Sequence, residues 1–141
     1  MMRVTGWCCA IAMGLAPMAV TAQQAPMNSG QSVKASRDPE ALLLQAKDQM
    51  RGNPSEAVRI ATQAEAAIRS RMAPPERAAK TAEALWLQGE GLLRLSDADA
   101  ASERIERALT LLSGAQSRSL LRGELLLTRG GVATAKANVS E

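Results

Sequence analysis

The middle of the chain reads Leu85-Trp86-Leu87-Gln88-Gly89-Glu90-Gly91-Leu92 and, after a break at Ser96-Asp97, Ala101-Ser102-Glu103-Arg104-Ile105-Glu106-Arg107-Ala108. In both segments apolar or small residues recur every three or four positions, which is the spacing of one face of a helix. Nothing from residue 38 onward alternates with the period of two that a half-buried strand requires. The sequence therefore predicts an all-α protein with no strands.

About five helices are expected between residue 38 and the end of the chain. Asp38-Pro39-Glu40 and Asn53-Pro54-Ser55-Glu56 each combine a capping side chain, a proline at the first helical position and an acidic first turn. The first helix is predicted to stop at Gly52 and the second in the stretch 69–75. The remaining helices are predicted over about 74–95, 98–112 and 119–137, with a loop at 113–118.

The first 22 residues have the three-part pattern of a secretory signal peptide. Met1–Arg3 is basic, Val4–Val20 is mostly apolar, and Val20-Thr21-Ala22 ends the segment with small residues. The alternative is a retained membrane anchor, but the apolar run is shorter than the ~20 residues of a typical span. We expect cleavage after Ala22, export to a bacterial periplasm, a flexible lead-in over 23–37 and a single domain over 38–141.

Composition excludes several functional classes. The 141 residues include no His, and both Cys residues lie in the predicted signal peptide, so His-based triads and thiolate metal sites are not expected. The chain carries seventeen basic and fourteen acidic residues, a net charge of +3, without a basic run, so nucleic acid is not an implied partner. Glu103 and Glu106 share a helix face, but basic residues flank them and no catalytic constellation is near. We expect no enzymatic activity, no metal and no cofactor.

The helix breaks recur at a nearly fixed interval. Asn53 and Asp97 are 44 residues apart, and Asp97 and Asn138 are 41 apart. The small residues Ala46, Gly89 and Gly130 keep the same step, at 43 and 41 residues, as expected for a solenoid of helix pairs. A competing register of 34 residues aligns 87–93 with 121–127. The longer period aligns the turns as well as the helices.

The pattern Leu85-x-x-x-Gly89-x-x-Leu92, followed by Ala101-x-x-x-Ile105-x-x-Ala108, resembles a tetratricopeptide repeat. That resemblance implies antiparallel helix pairs stacked as a short right-handed solenoid over residues 38–141, with the last repeat incomplete. Residues 84–95 and 125–131 further resemble the extracytoplasmic helical-repeat region of bacterial membrane-bound diguanylate cyclases. This second resemblance implies a sensory module, in a chain that lacks the family's membrane span and its catalytic signature.

The resemblance places four residues on the inner, concave face of such a solenoid: Trp86, Glu90, Leu93 and Arg94. Concave faces of repeat proteins bind peptides or partner helices. The structural alternative is that Trp86 packs between repeats and that Glu90 and Arg94, like Glu103 and Arg107, form ordinary ion pairs at i, i+4. Both interpretations stay open at this point.

The resulting expectation is a non-catalytic, exported interaction or sensory module with a protein or peptide partner. A structural homo-oligomer that associates through Ser119–Ala137, and a non-functional truncated product, are the alternatives. Contact with a membrane is expected only through the signal segment or a missing downstream span.

The sequence also predicts how the glycines of the third and fifth helices pack. Gly89 is expected where two helices touch, and Gly91 on another face where alanine would be tolerated. Gly130-Gly131 is interpreted as a close helix contact rather than a hinge.

Overall fold

A computed structural model describes residues 38–113 and 119–139 of this chain. The predictions for the signal peptide at 1–22, the lead-in at 23–37 and most of the loop at 113–118 concern residues outside those ranges. Within them the chain forms five helices and no strand, which confirms the all-α prediction. The helices are α1 (Pro39–Gln49), α2 (Pro54–Arg71), α3 (Pro74–Arg94), α4 (Ala98–Leu111) and α5 (Leu120–Val139).

The helix starts follow from capping side chains. Asp38 accepts a hydrogen bond from the backbone N–H of Glu40, and Asn53 accepts one from that of Glu56. Asp97 does the same for Ala100, so α2 and α4 begin with equivalent caps at the positions that the repeat predicts. Helix α3 has no capping side chain and begins instead with proline at its first position.

Each helix packs mainly against the next one along the chain, and α3 also touches α1 and α5. Two apolar clusters result from this order. The first joins α1, α2 and α3 and includes Leu43, Ala46, Ile60 and Ile68. The second joins α3, α4 and α5 and includes Leu85, Ile105, Leu112 and Leu125. Helix α3 therefore contributes to both clusters and lies at the centre of the described fold.

Small residues on α3 allow its two neighbours to approach closely. A methyl group on Gly89 would lie 2.7 Å from Cδ1 of Ile105 on α4, so Gly89 marks the predicted contact between these helices. The expectation for Gly91 is wrong, because a methyl group there would lie 2.5 Å from Cγ2 of Val58 and 3.3 Å from the Pro54 carbonyl oxygen. Gly91 is thus the place where α2 reaches the opposite side of α3.

The two glycines of α5 differ from each other. A methyl group on Gly131 would lie 3.3 Å from Cδ2 of Leu93, so close contact is confirmed for Gly131. The same interpretation is wrong for Gly130, which is exposed and has no atom within 4 Å of the position of a methyl group.

Candidate functional site

Three alternate helices, α1, α3 and α5, meet around a cavity of about 360 Å³, which we call the central groove. Its apolar lining comes from all three helices. Met50 and Leu87 are buried in the first cluster, whereas Leu127 of α5 is largely exposed. Trp86 also lines the groove and is half-buried. The groove therefore combines a buried apolar base with an exposed apolar edge.

Trp86 has a structural role and also lines the groove. Its side chain packs against both apolar clusters, as the structural alternative for this residue requires. Its indole Nε1 donates a hydrogen bond of 3.2 Å to Oγ1 of Thr128 on α5. The Thr128 hydroxyl in turn donates to the backbone oxygen of Glu124, 3.0 Å away. This chain of hydrogen bonds fixes the indole ring at the junction of α3 and α5.

Charged side chains of both signs surround the apolar lining. Lys47 donates to Glu83 at 2.6 Å, and Arg94 donates to Glu90 at 2.9 Å, so these two cations are already paired. Arg51 and the carboxylate of Glu124 also line the groove, and within the described ranges neither has an ion pair. The groove can therefore offer one charge of each sign to a bound molecule.

The structure brings three of the four predicted site residues to this groove. Trp86, Glu90 and Arg94 all line it. Leu93 lies elsewhere, because its side chain packs beside Gly131 of α5. The ion pair expected between Glu90 and Arg94 is present.

The analogous pair expected on α4 does not form, because each member has another partner. Arg107 reaches Glu65 of α2 at 3.5 Å. Glu103 is 3.5 Å from Arg104.

The groove residues on α1 and α5 were not predicted from the sequence, although the period of the repeat would have identified four of them. Moving back 43 positions from Glu90 and Arg94 gives Lys47 and Arg51. Moving forward 41 positions from Trp86 and Leu87 gives Leu127 and Thr128. All four lie in the groove. Part of its lining therefore comes from positions that the predicted period of 41 to 44 residues relates to one another.

A buried polar network on the other side of α3 was also not predicted. Glu65 of α2 is only 8% exposed and accepts a 3.0 Å hydrogen bond from Nε2 of Gln88, which is buried on α3. Arg69 approaches the same carboxylate at 3.1 Å and Arg107 at 3.5 Å. The Glu65 carboxylate is therefore compensated by two hydrogen-bond donors and by the charge of Arg107, and it joins α2, α3 and α4.

The acidic pair Glu103 and Glu106 is engaged in ion pairs, Glu106 with Arg129 of α5 at 2.7 Å. In the described ranges no group of three or more acidic, His or Cys side chains could hold a metal ion. None of the five helices combines the length and apolar character needed to cross a bilayer.

Comparison of the chain with protein-family models, curated proteins and solved structures gives no match.

Proposed function

We propose that this chain is a non-catalytic, tetratricopeptide-like interaction module that binds a peptide or an extended segment of a partner protein in the central groove. The observation that carries the proposal is the convergence of α1, α3 and α5 on a single apolar groove with charged edges. A groove of this kind can accept one apolar side chain of a peptide while its polar edge orients the backbone.

The repeat symmetry of the groove supports this proposal. Lys47 corresponds to Glu90, Arg51 to Arg94, and Trp86 to Leu127 under the period of 41 to 44 residues. Stacked repeats present equivalent side chains side by side along one surface, and that surface is where such proteins bind extended partners. The contacts of α3 with α1 and α5 are consistent with this stacking.

We also propose that the module is exported and serves as a sensory or scaffolding unit. The support is the signal-peptide pattern of residues 1–22 and the resemblance of 84–95 and 125–131 to extracytoplasmic regions of membrane-bound diguanylate cyclases. Fractionation of the producing cells followed by N-terminal sequencing tests the first part. We expect a periplasmic protein that begins at Gln23; a mature protein that retains Trp7 would contradict export by this route.

Selection from a random peptide library displayed on phage, with the full chain as bait, tests the binding function. A Trp7→Phe background makes Trp86 the sole tryptophan, so binding to the groove should change its fluorescence. The selected peptides should share an apolar anchor residue.

Charge reversal at the groove tests where those peptides bind. Arg51→Glu should weaken binding by about tenfold, the effect of losing one charged contact. Arg59→Glu is the matched control, because Arg59 is exposed on α2 and does not line the groove. Peptides that bind both variants equally and leave the fluorescence unchanged would contradict the proposal.

A further inference from the structure

One face of α5 carries no charged side chain and is uncovered within the described ranges. It consists of two rows with a spacing of seven residues, Leu120, Leu127 and Thr134 in one row and Gly123, Gly130 and Ala137 in the other, and we call it the exposed seam. Leu120 is 83% exposed and Leu127 is 79% exposed. Neither Gly123 nor Gly130 has an atom within 4 Å of the position of a methyl group.

The charged side chains at one side of α5 are directed away from the seam. Arg129 pairs with Glu106 at 2.7 Å, and Lys136 pairs with Asp99 at 2.7 Å, so both reach towards α4. On the opposite side Glu124 lines the central groove. No charge therefore opposes the approach of another apolar helix to the seam.

The positions of α1 and α3 that correspond to Gly130 in the predicted repeat are covered. Ala46 of α1 has no exposed surface, and Gly89 of α3 lies beneath Ile105 of the following helix. Gly130 occupies the same place in the repeat and is exposed. The place of Gly130 is thus one that a neighbouring element covers on α1 and α3, and on α3 a large aliphatic side chain lies over the small residue.

We propose that the seam is a homodimer interface in which the α5 helices of two copies pack antiparallel about a two-fold axis. In this register Leu120 of each copy faces Ala137 of the other, Leu127 faces Gly130, and Thr134 faces Gly123. Each large side chain meets a small one, which repeats the contact between Ile105 and Gly89. This inference goes beyond the groove-binding function, since the two surfaces share only Leu127.

Self-complementarity is the reason for choosing a second copy as the partner. In an antiparallel two-fold pair, a residue that contacts a given position of the second copy is matched by the same contact in reverse, so each contact occurs twice. In the seam each of these contacts sets a larger side chain against a small one. A parallel pair would instead place leucine against leucine and glycine against glycine, leaving gaps between the helices. Exposed leucines in a contiguous patch are typical of an association surface.

Disulfide cross-linking between two single-cysteine chains tests the register. Both are made in the full chain with Cys8→Ser and Cys9→Ser, one carrying Leu120→Cys and the other Ala137→Cys. These positions are ~25 Å apart along one helix, so only an antiparallel pair brings them together. We expect the mixed disulfide to exceed both homodisulfides. Cross-links within one variant alone would indicate a parallel pair, and absence of any cross-link would overturn the interface.

Gly130→Leu tests the contact without harming the fold, because the position is open in the single chain. Light scattering and sedimentation should show a dimer for the unmodified chain and a dissociation constant raised by about tenfold or more for the variant, the effect of overpacking one contact. Helix content should stay unchanged. Ala66→Leu, at an exposed position of α2, is the control and should leave the dimer intact. An unmodified chain that remains monomeric, or a dimer insensitive to Gly130→Leu, would overturn the proposal.

Discussion

The indole nitrogen of Trp86 on α3 lies 3.2 Å from the hydroxyl oxygen of Thr128 on α5. This hydrogen bond joins two helices that are not neighbours along the chain, at the place where both line the central groove. It also holds the half-buried tryptophan in one orientation. A change at Thr128 should therefore alter both the stability of the fold and the environment of the indole ring.

Thr128→Val should lower the free energy of unfolding by about 1 kcal/mol, because it removes the acceptor for the indole N–H while keeping the shape of the side chain. The emission of Trp86 should shift as its N–H loses this partner. Thr110→Val is the matched control, since Thr110 makes the same hydrogen bond to a backbone oxygen four residues earlier but has an exposed position on α4. Equal effects of the two variants would show that the contact with Trp86 contributes nothing.

Gly91→Ala should destabilise the fold by about 1–2 kcal/mol, because the added methyl group would overlap Val58 and approach the backbone of Pro54. Chemical denaturation measures the effect. Gly130→Ala is the control, measured at a protein concentration at which the chain is monomeric: no atom of the same chain lies within 4 Å of the position of its methyl group, and alanine should raise stability by about 0.5–1 kcal/mol through helix propensity.

A double-mutant cycle with Val58→Ala identifies the cause of the Gly91 effect. If overlap with Cγ2 is responsible, Val58→Ala should destabilise the Gly91→Ala variant by about 1 kcal/mol less than it destabilises the unmodified chain. Strict additivity of the two changes would contradict the close contact between α2 and α3.

The sequence predicted those features that depend on local chemistry or on the helical period. Capping by Asp38 and Asn53 requires only a short polar side chain before a helical segment, and the structure contains both caps. At Asp97 the sequence predicted only a break between helices, and the structure adds a cap there. The contact at Gly89 was also predictable, because the period of the apolar residues defines which face of α3 meets α4.

Features that depend on how three helices meet could not be predicted in the same way. Gly91 belongs to a second contact face of α3, and the periodicity of one helix does not reveal that a further helix covers its other side. Arg107 pairs with Glu65 of α2 rather than with Glu103 four residues away, since α2 and α4 both pack against α3 and Arg107 comes within 3.5 Å of Glu65. The residues of α1 in the groove could have been found only by applying the repeat period to the candidate site.

Ser96→Gly should raise the free energy of unfolding by about 0.5–1 kcal/mol. Ser96 has a φ of 64° just after α3, a backbone conformation that favours glycine. The N–H groups of Ser96 and Asp97 donate to the carbonyls of Leu93 and Leu92, which is the hydrogen-bond pattern of a Schellman cap. Thermal unfolding measures the gain. Ser96→Ala, which keeps a β-carbon in this conformation, is the control and should give no such gain.

Four charged side chains join α1 to α3 beside the first apolar cluster. Lys47 lies 2.6 Å from Glu83, and Lys80 lies 3.4 Å from both Glu83 and Glu40. Burial raises the pKa of the Glu83 carboxyl, but the hydrogen bond from Lys47 and the charges of Lys47 and Lys80 outweigh that effect. Together they hold the pKa of Glu83 below its ordinary value of 4.5.

Because the pKa of Glu83 is lower in the folded chain, its ionisation stabilises the fold fully above the unfolded value of 4.5. That stabilisation is lost as the pH falls through the lower, folded pKa. Glu83→Gln should therefore cost about 0.5–1 kcal/mol near neutral pH and progressively less in acid, where the unmodified carboxyl is itself protonated. Urea unfolding of both chains across this pH range measures the difference. Glu76→Gln, at an exposed position in the first turn of α3, is the control. A difference between Glu83→Gln and the unmodified chain that stays constant with pH would show that the charge of Glu83 contributes no stability.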